Sequence, residues 1–99
     1  MDQQKKQITI ELSPEAADGV FSNFTIITHS PSEFILDFAR LLPGVPKAKV
    51  HARVILTPPS AKMLVRSLGE NVERFERTHG EIRLPGPQET PGQIGFLPE

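Results

Sequence analysis

The chain has 99 residues, of which 37% are hydrophobic and 23% are charged, and its formal net charge is −1. A chain of this length forms one domain at most and buries only about 60% of the surface of its unfolded form, so it is marginally stable by itself. The absence of cysteine excludes disulfides and thiolate metal sites, and we expect oligomerisation to supply the missing stability. The near-neutral charge argues against a protein that binds nucleic acid with its whole surface.

The two ends of the chain differ in composition from its middle. Residues 1–6 are polar, and no apolar run approaches the length of a membrane span. We therefore expect no secretory signal and no membrane span, and we predict a cytoplasmic protein. Residues 1–6 are interpreted as a flexible N-terminus and residues 7–83 as a single domain. Residues 84–99, rich in proline and glycine, are interpreted as an extended or disordered tail.

Two strands are predicted first along the chain. Ile8, Ile10 and Leu12 alternate with polar residues, at the period of a half-buried strand. A break over residues 13–19, which also allows a short helical turn, contains an Asp-Gly turn signal. A second strand is predicted over residues 20–28, and the economical interpretation is that the two strands form a hairpin.

The pattern over residues 32–42 predicts a helix. Ser30 is a suitable N-cap, Pro31 suits the first helical position, and Glu33 completes a Ser-x-x-Glu capping box. The apolar residues that follow form one stripe at helical spacing: Phe34, Ile35, Phe38, Leu41 and Leu42. We expect the helix to end at the Pro-Gly pair that comes next.

A third strand and a second helix complete the predicted elements. Residues 49–56 alternate in character, so that Lys49, His51 and Arg53 share one strand face opposite an apolar face. The second helix is expected to begin at Pro59, because a residue that precedes proline avoids helical angles. Its predicted buried stripe recurs at helical spacing: Ala61, Leu64, Val65, Leu68, Val72 and Phe75.

Together these elements predict an α+β domain of order β-β-α-β-α, in which a small three-stranded sheet packs on two helices. Apolar residues left on the second sheet face predict a homodimer that shares this face or a sheet edge. Three apolar residues of the tail are a further candidate for docking, although a chain end without a role also fits them. The possible partner or dimer contacts are Phe21, Ile27, Ile55, Ile94, Phe96 and Leu97.

The sequence contains no recognisable catalytic constellation. Ser22, His29 and His51 could be combined with a carboxylate, but no nucleophile-elbow glycine pattern surrounds any serine. His29, His51 and His79 are far apart and lack the paired spacing of metal ligands. A phosphate-binding loop and a dinucleotide fingerprint are also absent. We therefore expect no catalytic residue, no metal site and no cofactor.

The charges are unevenly distributed, because no acidic residue lies between Phe38 and Gly69. The possible anion-binding or nucleic-acid-binding residues of this stretch are Lys47, Lys49, Arg53, Lys62 and Arg66. If they lie close together, they form a positive surface suited to phosphate backbones, an acidic peptide or an anionic ligand. A solvated strand face, or a contact with acids such as Glu11, Glu15 and Asp18, is an equally open interpretation.

Several segments resemble domain-of-unknown-function family 3467, a family of small prokaryotic proteins. The segments that carry the resemblance are Ser22-Asn23-Phe24, Ser30-Pro31-Ser32-Glu33-Phe34 and Val50-His51-Ala52-Arg53-Val54-Ile55-Leu56-Thr57-Pro58. The resemblance covers most of residues 8–82 and implies a bacterial origin, but no particular activity, cofactor or catalytic residue. We predict a non-enzymatic, homodimeric protein-interaction or scaffold module. The alternative is nucleic-acid or anion binding through the basic stretch between residues 47 and 66.

Overall fold

The computed structural model describes residues 7–85. Its elements, in chain order, are α1 (Pro14–Asp18), β1 (Phe24–His29), β2 (Phe34–Arg40), β3 (Lys49–Leu56) and α2 (Pro58–His79). The strands form one antiparallel sheet in the order β1-β2-β3, with β2 in the centre. The predicted α+β class, with three strands and two helices, is confirmed. The interpretations of residues 1–6 and of 86–99 lie outside the described residues.

The helix predicted over residues 32–42 is wrong, because β2 occupies Phe34–Arg40. β2 carries apolar residues on both of its faces, Phe34, Leu36 and Phe38 on one and Ile35 and Ala39 on the other, so its apolar residues run on instead of alternating. A short apolar run of this kind does not distinguish a strand from a helix by its period. The two phenylalanines and the isoleucine of β2 are residue types that favour strands.

The segment interpreted as a helix cap is the hairpin loop between β1 and β2. The Ser30 N–H donates to the Glu33 carbonyl at 3.0 Å, and the Ser30 Oγ accepts from the Ser32 N–H at 3.2 Å. Serine and proline favour turns for the same local reasons that make them good at helix starts. The capping signal was therefore a turn signal.

The strand predicted at residues 8–12 is not formed in the single chain. Ile8, Ile10 and Leu12 are 83, 87 and 70% exposed, in a segment without helix or strand. The break that follows contains α1, where the Ser13 Oγ accepts from the Ala16 N–H at 3.1 Å. The predicted hairpin is thus replaced by a hairpin of β1 and β2.

The two faces of the sheet follow from the register of the strands. Ile27, Leu36 and Val54 are cross-strand partners and share one face. Ile26, Asp37 and Arg53 are aligned in the same way on the other face. We call the first the helix-side face, because it lines a cleft with α2, and the second the far face.

The helix α2 forms where the sequence predicts it and starts one residue earlier, at Pro58. Its N-cap is Thr57, whose side chain accepts from the Ser60 N–H at 3.2 Å. At the other end Gly80, with a φ of 100°, donates its N–H to the Glu76 carbonyl. Both ends of this 22-residue helix are therefore satisfied by local chemistry.

The buried residues of the described chain lie on β2. The buried hydrophobic residues are Leu36 and Ala39, which are 8 and 0% exposed, and Asp37 is buried beside them. By contrast, twenty large hydrophobic residues of the described chain are exposed, and α2 contributes no buried residue. A single copy of the described chain thus has a core confined to its central strand.

Candidate interaction surface

The most prominent apolar surface of the described chain runs along α2. We call it the α2 stripe, and it consists of Leu64, Val65, Leu68, Val72 and Phe75. At helical spacing these side chains lie on one side of a helix about 33 Å long. The predicted stripe is present, but its members are 38–72% exposed instead of buried. Within residues 7–85, nothing covers this apolar face.

An open cleft of about 440 Å³ lies between the helix-side face and the first turns of α2. The residues that line it are Ile27, Phe34, Leu36, Leu56, Pro58, Ala61, Lys62, Leu64 and Val65. Eight of these nine residues are apolar, and Lys62 supplies the single charge among them. Because the α2 stripe begins at Leu64, the cleft and the stripe form one continuous apolar surface.

The far face of the sheet carries an ion pair between the two strands β2 and β3. Arg53 donates from Nε to Asp37 Oδ1 at 2.7 Å and from Nη2 to Oδ2 at 2.9 Å. The Asp37 side chain is only 12% exposed, whereas the Arg53 side chain is 61% exposed. The hydrogen bonds from Arg53 lower the pKa of Asp37 below its usual value of 3.8, against the opposing effect of burial. This bidentate geometry favours the register in which Asp37 lies opposite Arg53.

The expected row of basic residues on β3 is broken by an irregularity in its pairing. Ala52 lies opposite Phe38 and Val50 lies opposite Ala39, so that His51 is an extra residue. As a result Lys49 lies on the helix-side face, opposite Arg40, and Arg53 lies on the far face. Of the other basic residues, Lys47 is in an exposed loop, Lys62 lines the cleft and Arg66 is exposed on α2.

The predicted apolar contacts do not lie together on a second sheet face. Ile27 is opposite Leu36 on the helix-side face, whereas Ile55 is opposite Ile35 on the far face. Phe21 precedes β1, and the Arg40 guanidinium lies 5.7 Å from the centre of its ring. All three predicted contacts are exposed. Those of the tail, Ile94, Phe96 and Leu97, lie outside the described residues.

Two histidines considered as possible ligands contact aromatic rings. His29 stacks on Phe34 with ring centres 5.2 Å apart, and His79 lies 4.7 Å from the ring of Phe75. Within residues 7–85 no three His, Cys, Asp or Glu side chains form a group that could hold a metal ion. No helix in that part of the chain is long and apolar enough to cross a membrane.

The serine and asparagine before β1 extend its pairing with β2. The Asn23 amide donates to the Leu41 carbonyl at 3.1 Å and accepts from the Leu41 N–H at 2.8 Å, as a backbone group would. The Ser22 hydroxyl donates to the Ala39 carbonyl at 2.9 Å. These contacts give the Ser-Asn-Phe segment a structural explanation.

Two features of this surface were not evident from the sequence. The sequence shows that the α2 stripe is apolar, but periodicity does not tell whether the same chain or another one covers it. The partner of Arg53 was missed because Asp37 lies in the segment that the sequence pattern predicted as a helix. An acid in the middle of an apolar run, 16 residues from an arginine in an alternating strand, was the available signal.

Comparison with known proteins gives one match. The model of a family described as "Protein of unknown function (DUF3467)" matches residues 1–84. No curated protein and no solved structure matches the chain. The match covers most of the chain and includes every segment that carries the resemblance noted above. The chain therefore belongs to the DUF3467 family.

Proposed function

We propose that the protein is a non-enzymatic interaction module that works as a homodimer, in which a second copy covers the α2 stripe and the cleft. The observation that carries this proposal is the exposure of the α2 stripe on a helix whose two ends are fully capped. Most helical stability in proteins comes from packing of an apolar face. A well-formed helix with an uncovered apolar face therefore needs a partner.

The exposed apolar area is large enough for a stable dimer. Twenty large hydrophobic residues of the described chain are between 38 and 87% exposed. If each leaves on the order of 80 Å² in water, about half the surface of a large side chain, they total roughly 1,600 Å². A standard stable interface needs about 800 Å² from each partner. Half of this surface would suffice.

The shape of the surface favours a second copy as the partner. One chain offers both a ridge, the α2 stripe, and a cleft beside it. In a twofold dimer each surface contacts its counterpart reciprocally, so a ridge and a cleft on the same chain can cover each other. The net charge of −1 leaves little long-range repulsion between two copies.

The chemistry of the cleft supports contact with side chains more than catalysis. Its lining is apolar apart from Lys62, and none of the lining residues is an acid, a histidine, a serine or a threonine. Apolar clefts of this kind bind hydrophobic anchors. A catalytic site, in contrast, brings together titratable or nucleophilic groups with one another.

The test is Leu68→Asp, with Met63→Asp as the matched control. Leu68 is in the middle of the α2 stripe, whereas the exposed Met63 lies about 140° away around the helix. We expect the wild type and the control to sediment as a dimer of about 22 kDa, twice the 11.0 kDa of one copy. Leu68→Asp should sediment as a monomer, because dimer formation would bury a charge.

Two results would contradict the proposal. A wild-type protein that stays monomeric at high micromolar concentration would exclude the homodimer, and a Leu68→Asp dimer would exclude the α2 stripe as its interface. If Leu68→Asp unfolds, the wild type provides the second measurement. Its melting temperature should rise with protein concentration, as it does for dimers whose folding and association are coupled.

A further inference from the structure

The segment at residues 8–12 is a strand by pattern but has no strand partner within residues 7–85. Ile8, Ile10 and Leu12 alternate with polar residues, so they share one side of the segment. All three are strongly exposed. An isolated strand leaves its backbone N–H and C=O groups dependent on water and its apolar side uncovered. The segment therefore needs a sheet edge.

The outer edge of β3 is available for such a segment. β3 pairs with β2 along one edge, and within residues 7–85 no strand pairs with its other edge. The strand is eight residues long, and Val50, Val54 and Ile55 on it are exposed. An unprotected edge of this length is a template for the addition of another strand.

We propose that residues 8–12 of one copy add as a fourth strand to the outer edge of β3 in the second copy, and reciprocally. This inference rests on the proposed homodimer and specifies how the two chains are joined. The described chain carries both an unpaired segment and a free strand edge. Each of two copies can therefore supply the segment that pairs with the edge of the other copy.

The two sides of the segment match the two faces of the sheet at β3. With Ile8, Ile10 and Leu12 on the helix-side face, they extend the apolar surface formed there by Val54 and Leu56. Thr9 and Glu11 then lie on the far face, on the side of Arg53. The opposite orientation would place the carboxylate of Glu11 beside the apolar cleft and away from Arg53.

Charge favours the edge of β3 over that of β1. The outer strand β3 carries Lys49, His51 and Arg53, whereas β1 carries only His29. Arg53 uses Nε and Nη2 for Asp37 and remains 61% exposed, so further donors are free for Glu11. The short helix α1 follows the segment and brings two more acids, Glu15 and Asp18, towards the same basic strand. Opposite charges on neighbouring strands stabilise their pairing.

Amide hydrogen exchange of the full chain, followed by mass spectrometry of peptides, tests the exchange of strands. In the wild-type dimer we expect protection of both residues 7–12 and residues 49–56. Ile10→Pro should lower the protection of both peptides by about tenfold or more, because proline lacks the N–H that pairing requires. The matched control, Leu84→Pro, changes an exposed residue outside the helices and strands and should leave both unchanged.

The outcomes separate this inference from the proposed function. A dimer in which residues 7–12 exchange freely would overturn the strand exchange and leave the homodimer standing. Protection that moves to residues 24–29 would also overturn it, since the segment would then pair with β1. If protection of residues 7–12 survives dilution to the monomer, the pairing is within one chain and the inference fails. A wild-type protein that is monomeric at all concentrations would contradict the proposed function itself.

Discussion

The central strand β2 and the helix α2 are both apolar, yet they have opposite surroundings. Leu36, Asp37 and Ala39 on β2 are buried between its neighbouring strands, whereas no residue of α2 is buried within the described chain. The backbone of a helix satisfies its own hydrogen bonds, so α2 can be complete without neighbours. A strand cannot, and β2 is ordered by the two strands beside it. The difference shows that local chemistry can complete an element whose apolar face stays uncovered within the described chain.

The largest effect is expected from Leu36→Ala, which truncates the one large apolar side chain that is buried in the described chain. Replacing a buried leucine by alanine typically costs 2–5 kcal/mol, and we expect about 3 kcal/mol of unfolding free energy here. Urea denaturation measures the loss. The matched control is Met63→Ala on the outer side of α2, which should cost less than about 0.5 kcal/mol. Equal losses for the two variants would show that β2 is no more central to stability than the outer side of α2.

The same contrast explains what the sequence could and could not predict. α2 was predicted because the proline pair at its start and the helical period of its apolar residues are local signals. β3 was predicted because polar and apolar residues alternate along most of its length. β2 was missed because it carries apolar residues on both faces and so does not alternate, and a short apolar run does not distinguish a strand from a helix. The Ser-Pro loop before it then supplied a false helix start, since the same residues serve caps and turns.

Prediction of the interaction surface was limited in the same way. The α2 stripe was identified residue by residue, because a helical period is written in the sequence. Whether the sheet covers the stripe depends on how α2 packs against it, which is a matter of tertiary structure. The basic row failed at His51, because a single extra residue in a strand reverses which face the preceding side chains occupy.

A smaller loss of stability is expected from breaking the ion pair on the far face, and its size should depend on which of the two residues is replaced. Arg53→Ala leaves the Asp37 carboxylate, which is 12% exposed, without its partner, whereas Asp37→Ala leaves a guanidinium that is largely in water. An unpaired charge costs more when it is shielded from solvent. We expect Arg53→Ala to lower the melting temperature by several degrees, and by more than Asp37→Ala does. The reverse order would mean that Arg53 is the more shielded member of the pair in the dimer.

The pH dependence of stability gives the same pair a second readout. The folded-state pKa of Asp37 lies below its usual 3.8, so its contribution to stability is complete above that value and is lost as the pH falls through the lower folded-state pKa. In Arg53→Ala only burial remains to act on the carboxyl group, and burial raises its pKa. Loss of Arg53 should therefore cost the most stability at neutral pH, and the difference in unfolding free energy between the wild type and the variant should shrink as the pH falls through the Asp37 pKa. Urea denaturation at a series of pH values measures this difference. A difference that does not change with pH would show that Arg53 does not hold the pKa of Asp37 down.

The smallest predicted effect concerns Gly69, a glycine inside α2. Such a glycine predicts either a bend or a close contact. Apart from its chain neighbours and the backbone of its own helical turns, no atom of the described chain comes within 4 Å of the place where its Cβ would lie. Gly69→Ala should therefore raise the unfolding free energy by about 0.5–1 kcal/mol through helix propensity. Ser67→Ala is the matched control, since both positions are about 100° from Leu68, on opposite sides of the helix. If Gly69→Ala is destabilising while Ser67→Ala is not, the second copy approaches α2 closely at Gly69. The interface would then be centred on that flank of the α2 stripe instead of on Leu68.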